Sequence, residues 1–269
     1  MTERDRTDTS FECKGYLPFL AIGLASLSLL LLPLAGISYQ YTGLIMTTIA
    51  ALIGLGIGLY ALIRYSSFGL FHDDPFHMMG VLISVGIIVF ALADVVQGIS
   101  LNQVENLVLP YMVVSAKATA LILWILGIVG YVRASNLILK FAFPRLWSLA
   151  LVLSAISVIS VSPIMIGSSS NIGLLEPIWN LFYSIVLGII LASIYMQYYT
   201  LREGRLGNIL RFLVLGLLTI YLQGLLLSSS AEIWIFVIIN ILTIESYILI
   251  GIFLICSQEM TIASMRKTA

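Results

Sequence analysis

Asp94, Lys117 and Glu245 sit well inside runs of the chain that are apolar enough to cross a lipid bilayer. A charged side chain there costs roughly 3 kcal/mol on insertion scales, so it normally has a partner and a task. Asp94 lies within "IIVFALADVVQGISLN", about ten residues before the midpoint of a hairpin near Val104, and Lys117 lies about thirteen residues after it. At 1.5 Å per residue, two antiparallel helices bring Asp94 and Lys117 within roughly 5 Å in depth, a gap that a lysine stem bridges. The spacing predicts an intramembrane ion pair. Glu245 lies near the middle of the last apolar run and is expected to face the same interior and share Lys117. Gln97, Gln223, Asn240 and Thr219 add polar surface to these segments. An acid, a base and a second acid across a bundle suit a proton relay or an ion-coupled path. The plainer alternative is an ion pair that fixes helix register, with amide contacts worth about 0.6 kcal/mol each.

Other candidate chemistry is thinner. "FHDDPFH" gathers His72, Asp73, Asp74 and His77, the residue types that hold a divalent metal. Asp74 followed by Pro75 is, however, a helix start signal, and the segment reads as a solvated loop with neither histidine inside a span. No metal or cofactor is expected. Ser154, Ser157 and Ser160 form a polar stripe whose hydroxyls are expected to bond back to their own helix. Ala50, Gly54 and Gly58 form a small-residue ridge suited to close packing. The four tryptophans, Trp124, Trp147, Trp179 and Trp234, fit membrane anchoring or packing. No Walker A, GxSxG, HExxH or Cys–His signature occurs, so the chain is not expected to be an enzyme, and active transport would draw on a gradient or a partner.

The elements that must position these residues follow from composition. The chain has 269 residues, 60% hydrophobic and 10% charged, with a mean hydropathy of +1.09. Soluble domains carry about 25% charge, so a water-soluble globule is excluded. Eight apolar segments lie near 16–38, 43–63, 78–101, 107–132, 146–166, 174–198, 208–227 and 232–256. A bilayer core about 30 Å thick needs roughly 20 apolar residues per helix, and in lipid a span must satisfy its own backbone. The expectation is an all-α integral membrane protein with eight transmembrane helices and short polar connections. Two cysteines, Cys13 and Cys256, build no disulfide framework, and a bond between them is not expected in a reducing compartment.

Of the 13 lysines and arginines, Lys117 is intramembrane and the other twelve fall on one side of an eight-span arrangement. The opposite connections carry acids such as Glu105, Glu176 and Glu232. By the positive-inside rule, both termini are expected to be cytoplasmic in a protein of the cell membrane. The halves also resemble each other. Pro33 precedes Gly43 as Pro163 precedes Gly173, Gln97-Gly98 recurs as Gln223-Gly224, and "GIVGYVRAS" parallels "GIFLICSQE". The expected organisation is a short tail over 1–15, a four-helix unit over 16–145, a second over 146–256 and a tail over 257–269. Four spans per unit would make a parallel 4+4 repeat.

These features point to a component of a transport or translocation system, channel-like or carrier-like, with a solute or a macromolecule such as protein or DNA as cargo. Its expected partners are the lipid bilayer and other proteins, with a cytoplasmic ATPase docking on the basic loops. No basic block offers direct nucleic-acid binding. The alternatives are a non-transporting membrane platform and a sensor that signals through a partner.

Overall fold

The computed structural model describes residues 17–31, 36, 39–67, 74–100, 108–134, 137–167, 175–227 and 233–268. These residues form α1 (Leu17–Ser26), a 3-10 turn (Leu27–Leu31), α2 (Tyr39–Ser66), α3 (Pro75–Ser100), α4 (Val108–Ala134), α5 (Leu137–Gly167), α6 (Leu175–Leu201), α7 (Arg205–Leu227) and α8 (Ile233–Thr268). The molecule is an all-helical, multi-pass membrane protein. Among the described residues, six helices are long and apolar enough to cross a bilayer: Tyr41–Ser66, Pro75–Gly98, Tyr111–Ala134, Ile178–Leu201, Arg205–Leu226 and Val237–Met260. Two further apolar stretches, Leu17–Leu29 and Arg145–Ser160, are shorter among the described residues.

Several helices outrun the expected spans. α5 begins at Leu137 and α8 continues to Thr268, so the unit boundaries expected at 145 and 256 fall inside helices. The hydropathy pattern marks the lipid-facing part of a helix, whereas the backbone ladder continues into polar flanks. At the start of α3 the expected cap is present: the Phe76 N–H donates to Asp74 Oδ1 at 3.0 Å, and Pro75 occupies the first helical position, where its missing N–H costs nothing.

α2, α3 and α4 pack in succession, as do α5, α6, α7 and α8; α2 also lies along α8, α4 touches α6, and α1 packs on α8. α8 is the most buried of the six long spans, and every residue from Ile250 to Gln258 is buried. Its apolar residues surround it on all faces, the pattern of a helix enclosed by other helices rather than one with a lipid side. The small-residue ridge on α2 explains how closely the central helices approach. A Cβ on Gly54 would come to 2.9 Å from the Ala91 Cβ and 3.0 Å from the Tyr247 ring, and one on Gly58 to 2.6 Å from Ile88. Glycine is therefore required at both positions. Gly56, on another face, has open space around it.

Two expectations are corrected here. His77 does not sit in a solvated loop: α3 starts early enough to place it in the first turn, 1% exposed, with its ring edge-on to Tyr65 of α2 at 5.0 Å. Cys256 is disulfide-bonded, because compartment chemistry bears on whether such a bond persists and not on which side chains a fold brings together. His72, Asp73, Cys13, Glu105, Glu232, Pro33, Gly173, Arg4, Arg6 and Lys14 lie outside the described residues, as do the side chains of Lys140, Glu176, Trp234, Arg266 and Lys267.

Candidate functional site

Three helices meet around Asp94. α3 carries it near its C-terminal end, α4 brings Lys117 alongside, and α8 presents Tyr247 from the opposite side. Asp94 Oδ1 lies 3.2 Å from Lys117 Nζ. The Tyr247 hydroxyl donates to Asp94 Oδ2 at 2.6 Å, and Lys117 Nζ also donates to Gln97 Oε1 at 2.9 Å. Side-chain exposure is 12% for Lys117 and 7% for Asp94, so both charges are withdrawn from water and each depends on the other. Lys117 further sits over the Phe90 ring at 5.8 Å, and Phe90 in turn stacks on Trp124 at 5.3 Å. The Trp124 indole N–H donates to the Ile83 carbonyl at 3.2 Å. This aromatic floor is buried.

Beside the pair lies a cavity of about 30 Å³ lined by Thr47, Asp94, Gln97, Lys117, Gln223, Asn240 and Thr243, with Ala50 and Ile239 completing its wall. A cavity of roughly 10–15 Å³ is enough to hold a water molecule, so this polar space has room for water. Five helices contribute: α2, α3, α4, α7 and α8. Thr47 donates to Asn240 Oδ1 at 3.0 Å, which fixes the amide across the α2–α8 seam. The cavity lies where α3 and α7 end and α2, α4 and α8 begin, at the end of the bundle away from Arg64, Arg133, Arg202 and Arg205.

Of the sequence candidates, the structure thus gathers Asp94, Lys117, Gln97, Gln223 and Asn240. Glu245 is not among them. Its carboxylate faces α1, where Ser26 Oγ donates to Glu245 Oε1 at 2.7 Å, and a Cβ on Gly23 would come to 3.0 Å from Oε2. It therefore does not share Lys117. The reason is helical phase: at 3.6 residues per turn, Glu245 lies roughly 140–160° around α8 from Asn240, Thr243 and Tyr247. Those three sit at i, i+3 and i+7 on one face, a spacing visible in the sequence that would have found Thr243 and Tyr247 and set Glu245 apart. Thr47 had no comparable signal, since a threonine that bonds back to its own helix, as this one does to the Gly43 carbonyl at 2.9 Å, is common in spans.

Within the serine stripe, Ser157 bonds back to its own helix as expected, donating to the Leu153 carbonyl at 3.0 Å, and it lies 3.2 Å from the Tyr221 hydroxyl. Thr219 bonds the Gly216 carbonyl at 2.7 Å on its own helix. A second polar group lies towards the basic end of the bundle. There the Tyr65 hydroxyl and Ser257 Oγ are 2.5 Å apart, and Gln258 Nε2 donates to the Ala61 carbonyl at 2.9 Å. Compared with known protein families, with curated proteins and with solved structures, the chain matches none.

Proposed function

We propose that this chain is a membrane component of a transport or translocation system, in which the Asp94–Lys117 site exchanges a proton or a small cation. One observation carries the reading. A carboxylate and an ammonium are held out of water beside a cavity with room for water, ringed by polar groups from five helices. A pair needed only to fix the register of α3 and α4 has no use for amides and hydroxyls from α2, α7 and α8. A carboxylate that releases its lysine to accept an exchanging cation has use for all of them, because they solvate whichever charge is momentarily unpaired.

The topology we propose has eight spans, with α1 and α5 completing the count and both termini on the cytoplasmic side of the cell membrane. Segregation of twelve basic residues to one side supports it. A parallel 4+4 relation between α1–α4 and α5–α8 is supported by reciprocal packing, since α2 lies on α8 as α6 lies on α4. Gly98 of α3 lies against Thr47 and Leu44 of α2, as Gly224 of α7 lies against Tyr183 and Ser184 of α6. Energy would come from an ion gradient, or from an ATPase docked on the basic connections.

The test is ion exchange in sealed liposomes that carry a pH-sensitive dye, with an imposed proton or monovalent cation gradient. Wild-type protein is expected to dissipate the gradient faster than empty liposomes, and Asp94→Asn, inserted to the same level, is expected not to. Equal rates in wild-type, Asp94→Asn and empty liposomes would overturn the exchange reading. They would favour the platform alternative, which the glycine-tight contact of α2 with α3 and α8 already supports.

A further inference from the structure

In the second half of the chain, α5, α6 and α7 enclose a groove of about 530 Å³, a volume typical of ligand pockets. Leu149 and Leu153 form one wall, Leu191, Tyr195 and Tyr198 the floor, and Val214, Leu215 and Leu218 the other wall, with Arg211 at one end. We infer that this groove binds one acyl chain of an anionic phospholipid, whose phosphate pairs with Arg211.

The position of Arg211 gives the lipid its orientation. It lies six residues into α7, roughly 9 Å from the helix start, and Leu218 lies about 10 Å deeper. The groove therefore runs from the headgroup boundary into one leaflet, parallel to the lipid chains, at the end of the bundle where Arg145, Arg202 and Arg205 are found. Among the described residues Arg211 has no carboxylate partner; its guanidinium rests over the neighbouring Phe212 ring at 4.8 Å. A basic group with no acid beside it, above an apolar slot in the leaflet, is complementary to a lipid phosphate above its chain. The arrangement is also built rather than open by chance. Tyr221, behind the groove, donates to the Leu153 carbonyl at 2.6 Å, and Gly188 lets α6 approach α5 until a Cβ there would lie 3.1 Å from Leu153. These contacts hold the α5–α6–α7 corner at a fixed spacing.

Native mass spectrometry of the detergent-purified protein, titrated with phosphatidylglycerol or with phosphatidylcholine of the same chains, tests the inference. Wild-type protein is expected to retain one phosphatidylglycerol in preference to phosphatidylcholine and to melt later in its presence. Arg211→Gln should lower phosphatidylglycerol occupancy by about fivefold, the equivalent of one basic group at a lipid headgroup, and Arg211→Lys should keep most of it. Leu215→Trp, which fills the slot, should lower retention of both lipids while Arg211 is intact. A variant that elutes as aggregate on size exclusion is replaced in the comparison by Arg211→Lys and Leu218→Phe, which perturb charge and slot less. Equal retention of the two lipids by wild-type protein, or unchanged phosphatidylglycerol retention in Arg211→Gln, would overturn the inference and leave ordinary annular lipid.

Discussion

Removing the charge of Asp94 while keeping its shape, as in Asp94→Asn, strands Lys117. The ammonium loses its 3.2 Å contact with Oδ1 and retains the Gln97 carbonyl oxygen at 2.9 Å. Lys117 lies nine residues into α4, roughly 13 Å along the helix, too deep for its stem to reach the headgroups unaided. The reciprocal change, Lys117→Met, strands the carboxylate with the Tyr247 hydroxyl alone at 2.6 Å. Breaking a buried pair on one side typically costs 3–5 kcal/mol because a charge is left uncompensated, whereas replacing both partners is close to neutral. Each partner here keeps one hydrogen bond, so the lower end applies, about 3 kcal/mol for either single change. At this chain length that corresponds to roughly 6–12 °C in Tm. The double variant Asp94→Asn/Lys117→Met should recover to within about 1 kcal/mol of wild type, since the introduced amide oxygen still accepts from Tyr247 and the methionine fills the lysine's path over Phe90. Thermal unfolding followed by size-exclusion chromatography of the four proteins in one detergent measures the cycle. If the two single losses simply add in the double variant, the charges are energetically independent, and the argument from their burial fails.

Tyr247→Phe removes a donor to an ionised carboxylate and should cost about 2 kcal/mol, the usual worth of a hydrogen bond to a charged group; the same change in an Asp94→Asn background should cost less, and equal losses in the melting assay would refute the coupling. Gly58→Val should destabilise by about 2–3 kcal/mol, because its branches would enter Ile88 and the Ser84 carbonyl, while Gly56→Ala, which meets open space, should melt within about 0.5 kcal/mol of wild type or slightly above it. Glu245→Gln keeps an acceptor for Ser26 and should leave stability within about 0.5 kcal/mol of wild type; an early transition would mean that the negative charge itself holds α1 in place.

How much of this was legible in the sequence depends on which physical property each feature reports. Helix placement was legible, because lipid imposes one solution on any apolar run: each of the eight expected segments overlaps helix, and six of them meet a helix long enough, among the described residues, to cross a bilayer. The proximity of Asp94 and Lys117 was legible because depth along two hairpin-linked helices is simple arithmetic on residue number. What failed was rotation. Depth places Glu245 and Tyr247 together, and only their angles around α8 separate an α1-facing carboxylate from a hydroxyl that reaches Asp94. In a soluble helix the polar face announces that angle. On α8, apolar all round, nothing in the hydropathy distinguishes one face from another, and only the i, i+3, i+7 series of Asn240, Thr243 and Tyr247 records it. The burial of His77 was hidden for the converse reason, since its flanking acids and proline read as a loop while the helix they start is the one that buries it.

That central position of α8 constrains any path through the molecule. It carries Tyr247 at the Asp94 site and Ser257 and Gln258 at the second polar group, ten residues or roughly 15 Å further along. Between them Ile248, Ile250, Ile252, Phe253 and Leu254 are buried in one continuous apolar core. A water-filled route would therefore need α8 to shift against α2, which is the seam where Gly54 meets Tyr247 and Gly251 meets Ile57 with 2.8–3.0 Å between a notional Cβ and its neighbour. Small residues along this seam let the two backbones approach closely, so any shift must carry Tyr247 and Ile57 past them. The same seam carries the Thr47–Asn240 bond at 3.0 Å, so a shift of α8 breaks a contact in the wall of the cavity as it draws Tyr247 away from Asp94. If the Asp94 site exchanges a cation as proposed, its occupancy and the position of α8 would be mechanically linked. A cysteine pair at Thr47 and Asn240, oxidised to lock the seam, is expected to stop exchange in liposomes and release it on reduction. Undiminished exchange in the locked protein would mean that α8 stays still and the coupling through Tyr247 is wrong.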